Sequence, residues 1–153
     1  MTKVIYTLSL LFLFQVTSAQ EVIRAQPCSD TSMKKQADSL LQLYTSHGYE
    51  LLREASMKME SEYEMPVIVP LQERSLYQIV FIGDMKSKLY EVRMYDYDEK
   101  QVFYKKLKPE LDGNIISYGY MPKISEWHMI KPVQVNKKKK ILCGYVMLLK
   151  KTK

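Results

Sequence analysis

Histidines, cysteines and clustered carboxylates are the side chains best able to do chemistry, and in this 153-residue chain they are few and scattered. His47, His128, Cys28 and Cys143 have none of the close spacing that a tetrahedral metal site needs. His128, beside Trp127 in a stretch of strand character, is the residue placed to act as a general base. The chain supplies no Gly-x-Ser-x-Gly elbow, His-Glu-x-x-His pair, phosphate loop or dinucleotide fingerprint to work with it. A small envelope hydrolase using His128 is therefore the alternative expectation. No catalytic residue and no cofactor are assigned.

Three features point to binding instead. Asp96, Asp98 and Glu99 form a compact acidic turn, with Asp84 in an earlier one, and such oxygens suit Ca²⁺. The turn lacks an EF-hand ligand ladder, and acidic residues favour turns through side-chain to backbone bonds, so no metal is expected. Lys137, Lys138, Lys139 and Lys140 form the densest charge block in a chain of net charge +6. That block can attract an anionic glycan, a glycolipid head group or an acidic partner, or serve as a solvated loop between strands. Lastly, the chain holds 12 tyrosines and one tryptophan. Tyr118, Tyr120 and Trp127 are candidates for a sugar-stacking platform, weighed against ordinary aromatic packing in strands.

These residues must be positioned by a helix followed by strands. Met33, Ala37, Leu40, Leu41 and Tyr44 recur at helical spacing, with Ser29 or Asp30 as N-cap and Gly48 as the stop. From Tyr49 to Met65 the apolar period changes to two, broken at Leu52 and Arg53, which indicates one long strand or two joined by a bend. Pro66 and Pro70 bracket Val67, Ile68 and Val69 and mark an edge segment. The near-continuous apolar run 75–82 suits a central strand covered on both faces. Segments 89–95, 101–107, 114–121, 126–135 and 141–150 follow, separated by turn residues. About seven strands after one N-terminal helix predict an antiparallel β-sandwich.

The phrase 76–83, Leu-Tyr-Gln-Ile-Val-Phe-Ile-Gly, followed by 89–96, Leu-Tyr-Glu-Val-Arg-Met-Tyr-Asp, resembles the bacterial pre-peptidase C-terminal domain pattern. There a Tyr-x-Phe strand precedes one ending in a Tyr-Asp turn. Residues 116–120 and 122–128 resemble its Pro-x-x-Gly-x-Tyr segment, with Glu126 in the glycine position and Trp127-His128 in the tyrosine region. The resemblance covers about the middle half of the chain and implies a jelly-roll-like sandwich that accompanies secreted proteins, without catalysis of its own.

The start of the chain sets the compartment. Lys3 precedes an apolar run from Val4 to Phe14, and Thr17 and Ala19 supply small residues at the −3 and −1 positions of a cut before Gln20. Residues 1–19 thus read as a secretory signal peptide, the run being short of the roughly 20 residues that span a bilayer. Cleavage removes Lys3 and no acid, taking the charge from +6 to +5. Residues 20–29 are an expected exposed lead-in and 30–153 a single domain. In an oxidising compartment Cys28 and Cys143 are expected to pair. Their loop of about 115 residues would add roughly 4–5 kcal/mol by chain entropy. The expectation is a non-catalytic secreted or periplasmic binding module for an envelope or extracellular partner, with a glycan or glycolipid as the alternative ligand. Export and the lack of a recognition helix or RNP motif argue against nucleic acid.

Overall fold

A computed structural model describes residues 26–152. The leader segment, residues 1–19, lies outside the described residues.

Helix α1 (Thr31–Ser46) begins where Asp30, as N-cap, accepts from the Met33 amide. It ends before Gly48, whose φ of 78° suits a residue without Cβ. Eight strands follow: β1 (Tyr49–Glu60), β2 (Val67–Leu71), β3 (Tyr77–Gly83), β4 (Leu89–Tyr95), β5 (Gln101–Leu107), β6 (Ile115–Tyr120), β7 (Glu126–Val135) and β8 (Ile141–Lys151). A single turn of helix, α2 (Pro109–Asp112), sits in the break before β6. The expected count of about seven strands becomes eight because the proline-bracketed segment pairs fully with β7.

The strands form two antiparallel four-stranded sheets, β1-β8-β3-β6 and β2-β7-β4-β5, making a β-sandwich. Ile79, Phe81, Val92, Met94, Ile130 and Leu148 fill the space between the sheets. On the other side of the first sheet, Val80, Ile82, Met147 and Leu149 pack beneath Met33 and Ala37 of α1, joined by Leu40, Leu41 and Tyr44. Strand β3 is therefore apolar on both faces, and the helical stripe read from the sequence is the face that α1 buries.

Strand β1 contains a bulge where the sequence alternation falters. Leu51 opposes Leu149 while Arg53 opposes Leu148, which leaves Leu52 as the extra residue. Side chains of one parity then change sides. Tyr49 and Leu51 belong to the helix-covered cluster, whereas Ala55, Met57 and Met59 face the second sheet. Past Glu60 the chain turns rather than continuing as a strand, and Glu62 takes a φ of 74°.

Cys28 and Cys143 form a disulfide with Cα atoms 5.6 Å apart, tying the start of α1 to β8. The lead-in is exposed in its side chains at Gln26 and Pro27, but its backbone is anchored. Gln26 C=O accepts from Lys58 N–H at 2.8 Å, and Cys28 N–H donates to Ser56 Oγ at 3.3 Å. The disulfide holds this short segment along β1. Among the described residues no helix is long and apolar enough to cross a membrane.

Candidate functional site

Helix α1 covers one sheet, and the outer face of the other is open. Its composition follows from register. Ile68, Met129, Tyr95 and Gln101 are successive partners across the four strands, so they share one row on that face. Pro70 and Trp127 form the row on one side, and Lys131, Arg93 and Tyr104 the row on the other. The turn between β4 and β5 stands beside this face and is built by Asp96. Its carboxylate accepts from Lys100 N–H at 2.8 Å, its own amide donates to Lys100 C=O at 3.0 Å, and Glu99 takes a φ of 60°.

Turn and face together enclose an open cleft of about 470 Å³. Ile68 and Met129 form its apolar floor, Tyr95, Tyr97 and Trp127 supply rings, and Asp96, Glu99 and Lys131 supply charge. Trp127 is 54% exposed and Tyr97 71%. Lys131 Nζ lies 5.2 Å from the Tyr95 ring centroid and 3.0 Å from Glu64 Oε2, so its position is fixed from two sides. Asp96, Asp98 and Glu99 are thus a turn, and Asp96 and Glu99 form part of the cleft wall. Among the described residues no group of three or more His, Cys, Asp or Glu side chains is arranged to hold a metal ion.

His128 lies under this cleft with no exposed surface. Tyr120 Oη is 3.1 Å from His128 Nε2, Glu126 Oε1 is 3.6 Å from the same nitrogen, and Nδ1 is 3.3 Å from Glu126 C=O. Burial, then the Glu126 and Asp96 carboxylates, raise the Tyr120 phenol above its ordinary value, so it stays neutral at physiological pH. Both ring nitrogens of His128 are therefore engaged. The group is Tyr, His and Glu; both cysteines are in the disulfide, and the nearby Ser125 hydroxyl accepts from Glu73 N–H.

Of the three aromatic candidates, the structure leaves one on the surface. Tyr118 points between the sheets, stacked on Phe103 with centroids 3.5 Å apart and its hydroxyl 3.3 Å from the Met94 sulfur. Its burial excludes it from a surface platform. Tyr120 has the same parity and turns inward to His128. Only Trp127 faces outward, joined there by Tyr95 and Tyr97.

The lysine block is likewise divided. Lys139 Nζ pairs with Asp84 at 2.8 Å and Lys140 Nζ with Glu60 at 3.2 Å, while Lys137 and Lys138 are exposed. The Lys139 contact closes a buried polar network. Gln134, fully buried, accepts from Asp84 N–H and Ser87 Oγ and donates to Cys143 C=O, all within 2.9 Å. Tyr90 Oη donates to Asp84 C=O. Burial would raise the Asp84 carboxyl, but bonds from Lys139, Lys86 N–H and Cys143 N–H outweigh it and hold the group below its ordinary value. Burial, with Asp84 nearby, pushes the Tyr90 phenol up to about 12. The available signal was two glycines in apolar strands. A Cβ on Gly83 would overlap the Tyr90 ring, and one on Gly144 would overlap the Met59 sulfur.

No family model and no curated protein matches this chain. A solved structure described as the Glycosylation Associate Protein (Gap123) complex from Streptococcus agalactiae is similar over 69% of this chain and 40% of that chain. The identity is 13% and the TM-score 0.37, so the likeness transfers no role, and the present chain spans about two fifths of that one.

Proposed function

We propose that the protein is an exported, non-catalytic binding module whose ligand is a glycan held in the cleft around Trp127. The observation that carries this reading is the pair of outward-facing rings, Trp127 and Tyr97, exposed over more than half their surface beside Asp96, Glu99 and Lys131. A sugar offers C–H faces that pack on such rings and hydroxyls that bond to the charged groups at the rim. Few convergent polar groups around an apolar floor is the usual composition of a small-ligand site.

Export is supported by the signal pattern in residues 1–19 and by the Cys28–Cys143 disulfide, a bond that persists in oxidising compartments. The non-catalytic reading is supported by the enclosure of His128, whose ring nitrogens are engaged by Tyr120 and Glu126 rather than by a nucleophile. Lys137 and Lys138 add a positive field that speeds encounter with anionic surfaces.

The test is to apply the domain from Gln20 onward to a glycan array and to compare Trp127→Ala. The expected result is retention of a defined set of chains by the parent and a loss of at least about tenfold in affinity for the variant, or about 1.4 kcal/mol. Retention of no glycan overturns the reading. Capture of an envelope protein that also depends on Trp127 would keep the cleft and replace the ligand class.

A further inference from the structure

Trp127 borders two hollows. Beyond the cleft already described, a second depression of about 480 Å³ is lined by Leu52, Pro70, Gln72, Ser125, Lys150 and Trp127 itself. The indole is thus a ridge common to two hollows, each large enough for a small-molecule subsite, a class that starts at about 300 Å³. The second hollow reaches past β2 to the bulge of β1 and to the end of β8, so a ligand filling both must cross the edge of the sandwich. Resting on the glycan reading, we infer that the ligand is an extended oligosaccharide that crosses Trp127, with sugar units in both hollows.

The edge it crosses is poorly suited to strand pairing. Arg53 Nη1, on the first sheet, donates to Ile68 C=O at 3.1 Å. Alternate residues of a strand direct their amide and carbonyl to the same side. The bond to Arg53 places the Ile68 carbonyl on the outer edge, so Pro70, two residues on, presents that edge without an N–H. An extended peptide laid here would find the Ile68 carbonyl engaged and no N–H at Pro70, leaving it only Ile68 N–H and Pro70 C=O, half of the ladder on which strand addition depends. A sugar chain needs no ladder. It uses rings and side-chain polar groups, and the second hollow offers both: Trp127, and Lys150. Lys150 Nζ donates to Gln72 Oε1 at 2.7 Å. Among the described residues it has no carboxylate partner within ion-pair distance. Gln72 and Lys150 therefore form a polar end at the far side of the groove, opposite Asp96 and Glu99 in the first hollow.

The experiment is calorimetric titration of the domain with chito-, cello- and galacturonate oligomers, each as disaccharide, tetrasaccharide and hexasaccharide. The series bound best should gain about tenfold or more in affinity from disaccharide to hexasaccharide. The double variant Leu52→Ser, Lys150→Gln should remove that gain and leave disaccharide affinity within about twofold. Both positions are on the surface, and an unchanged melting curve confirms the fold. Equal affinity for short and long chains would overturn the extended ligand while leaving the Trp127 cleft in place. So would a double variant that weakens both lengths alike. Failure of every series to bind would remove the glycan reading and this inference together.

Discussion

The two outer faces of the sandwich have the same origin and opposite fates. Both arise from strands whose alternate side chains point away from the central core. On the first sheet those side chains are Val80, Ile82, Met147 and Leu149, and α1 buries them. On the second they are Ile68, Met129, Tyr95 and Trp127, and no helix among the described residues packs over them. One 16-residue helix can shield one sheet only. It is committed to the first by the Cys28 disulfide at its start, by Gln36 bonded to Asn114, and by Tyr44 Oη 2.6 Å from Ser117 Oγ. A large ring left 54% exposed beside an apolar floor adds less to stability than one buried under a helix. Under the proposed function, its contribution lies in what it contacts.

The comparison breaks most visibly where the sheets are joined. Gln134 of the open sheet bonds to Asp84 N–H, Ser87 and Cys143 C=O, which follow or belong to strands of the covered one. Gln134→Leu orphans these groups at about 1–3 kcal/mol each, and chemical denaturation should show a loss of about 4 kcal/mol. On the covered face, Met147→Ala should cost about 3 kcal/mol through the cavity left under α1, measured the same way.

A smaller effect separates by pH. The Asp84 carboxyl is held below its ordinary value of 3.8. Its stabilising bonds are therefore complete above that value and fade as pH falls through and below it. Asp84→Asn should cost about 2 kcal/mol at pH 7 and flatten the acid limb of the stability curve. A parallel decline in both proteins would contradict the assignment. The smallest effect belongs to the open face, where Trp127→Ala should move unfolding free energy by no more than about 0.5 kcal/mol.

Much of this architecture was legible in the chain. The helical stripe from Met33 to Tyr44, the central character of the run ending at Ile82 and the edge role of the Val67 segment all follow from periodicity and proline placement. The disulfide follows from cysteine count. Which outward face would be left bare was not legible, because alternation in Trp127, Met129 and Lys131 looks the same whether a helix covers it or not. The β1 bulge hides a second fact of this kind. Tyr49 and Met57 share parity in sequence but face opposite layers, since Leu52 is inserted between them. Tyr118 and Trp127 look equally suited to a platform until register turns one inward and the other out. Gln134 carries no local signal, because its partners come from the β3–β4 turn and from β8 only once the sheets have assembled.

The central claim is that the open face is kept for binding and the covered one for stability. It is tested most directly by measuring unfolding free energy and glycan affinity on the same two variants, Trp127→Ala and Met147→Ala. The account requires Trp127→Ala to lose at least about tenfold in affinity at unchanged stability. It requires Met147→Ala to lose about 3 kcal/mol of stability while the folded fraction binds as the parent does. Loss of stability in the first, or undiminished glycan binding by it, would contradict the division of roles between the two faces.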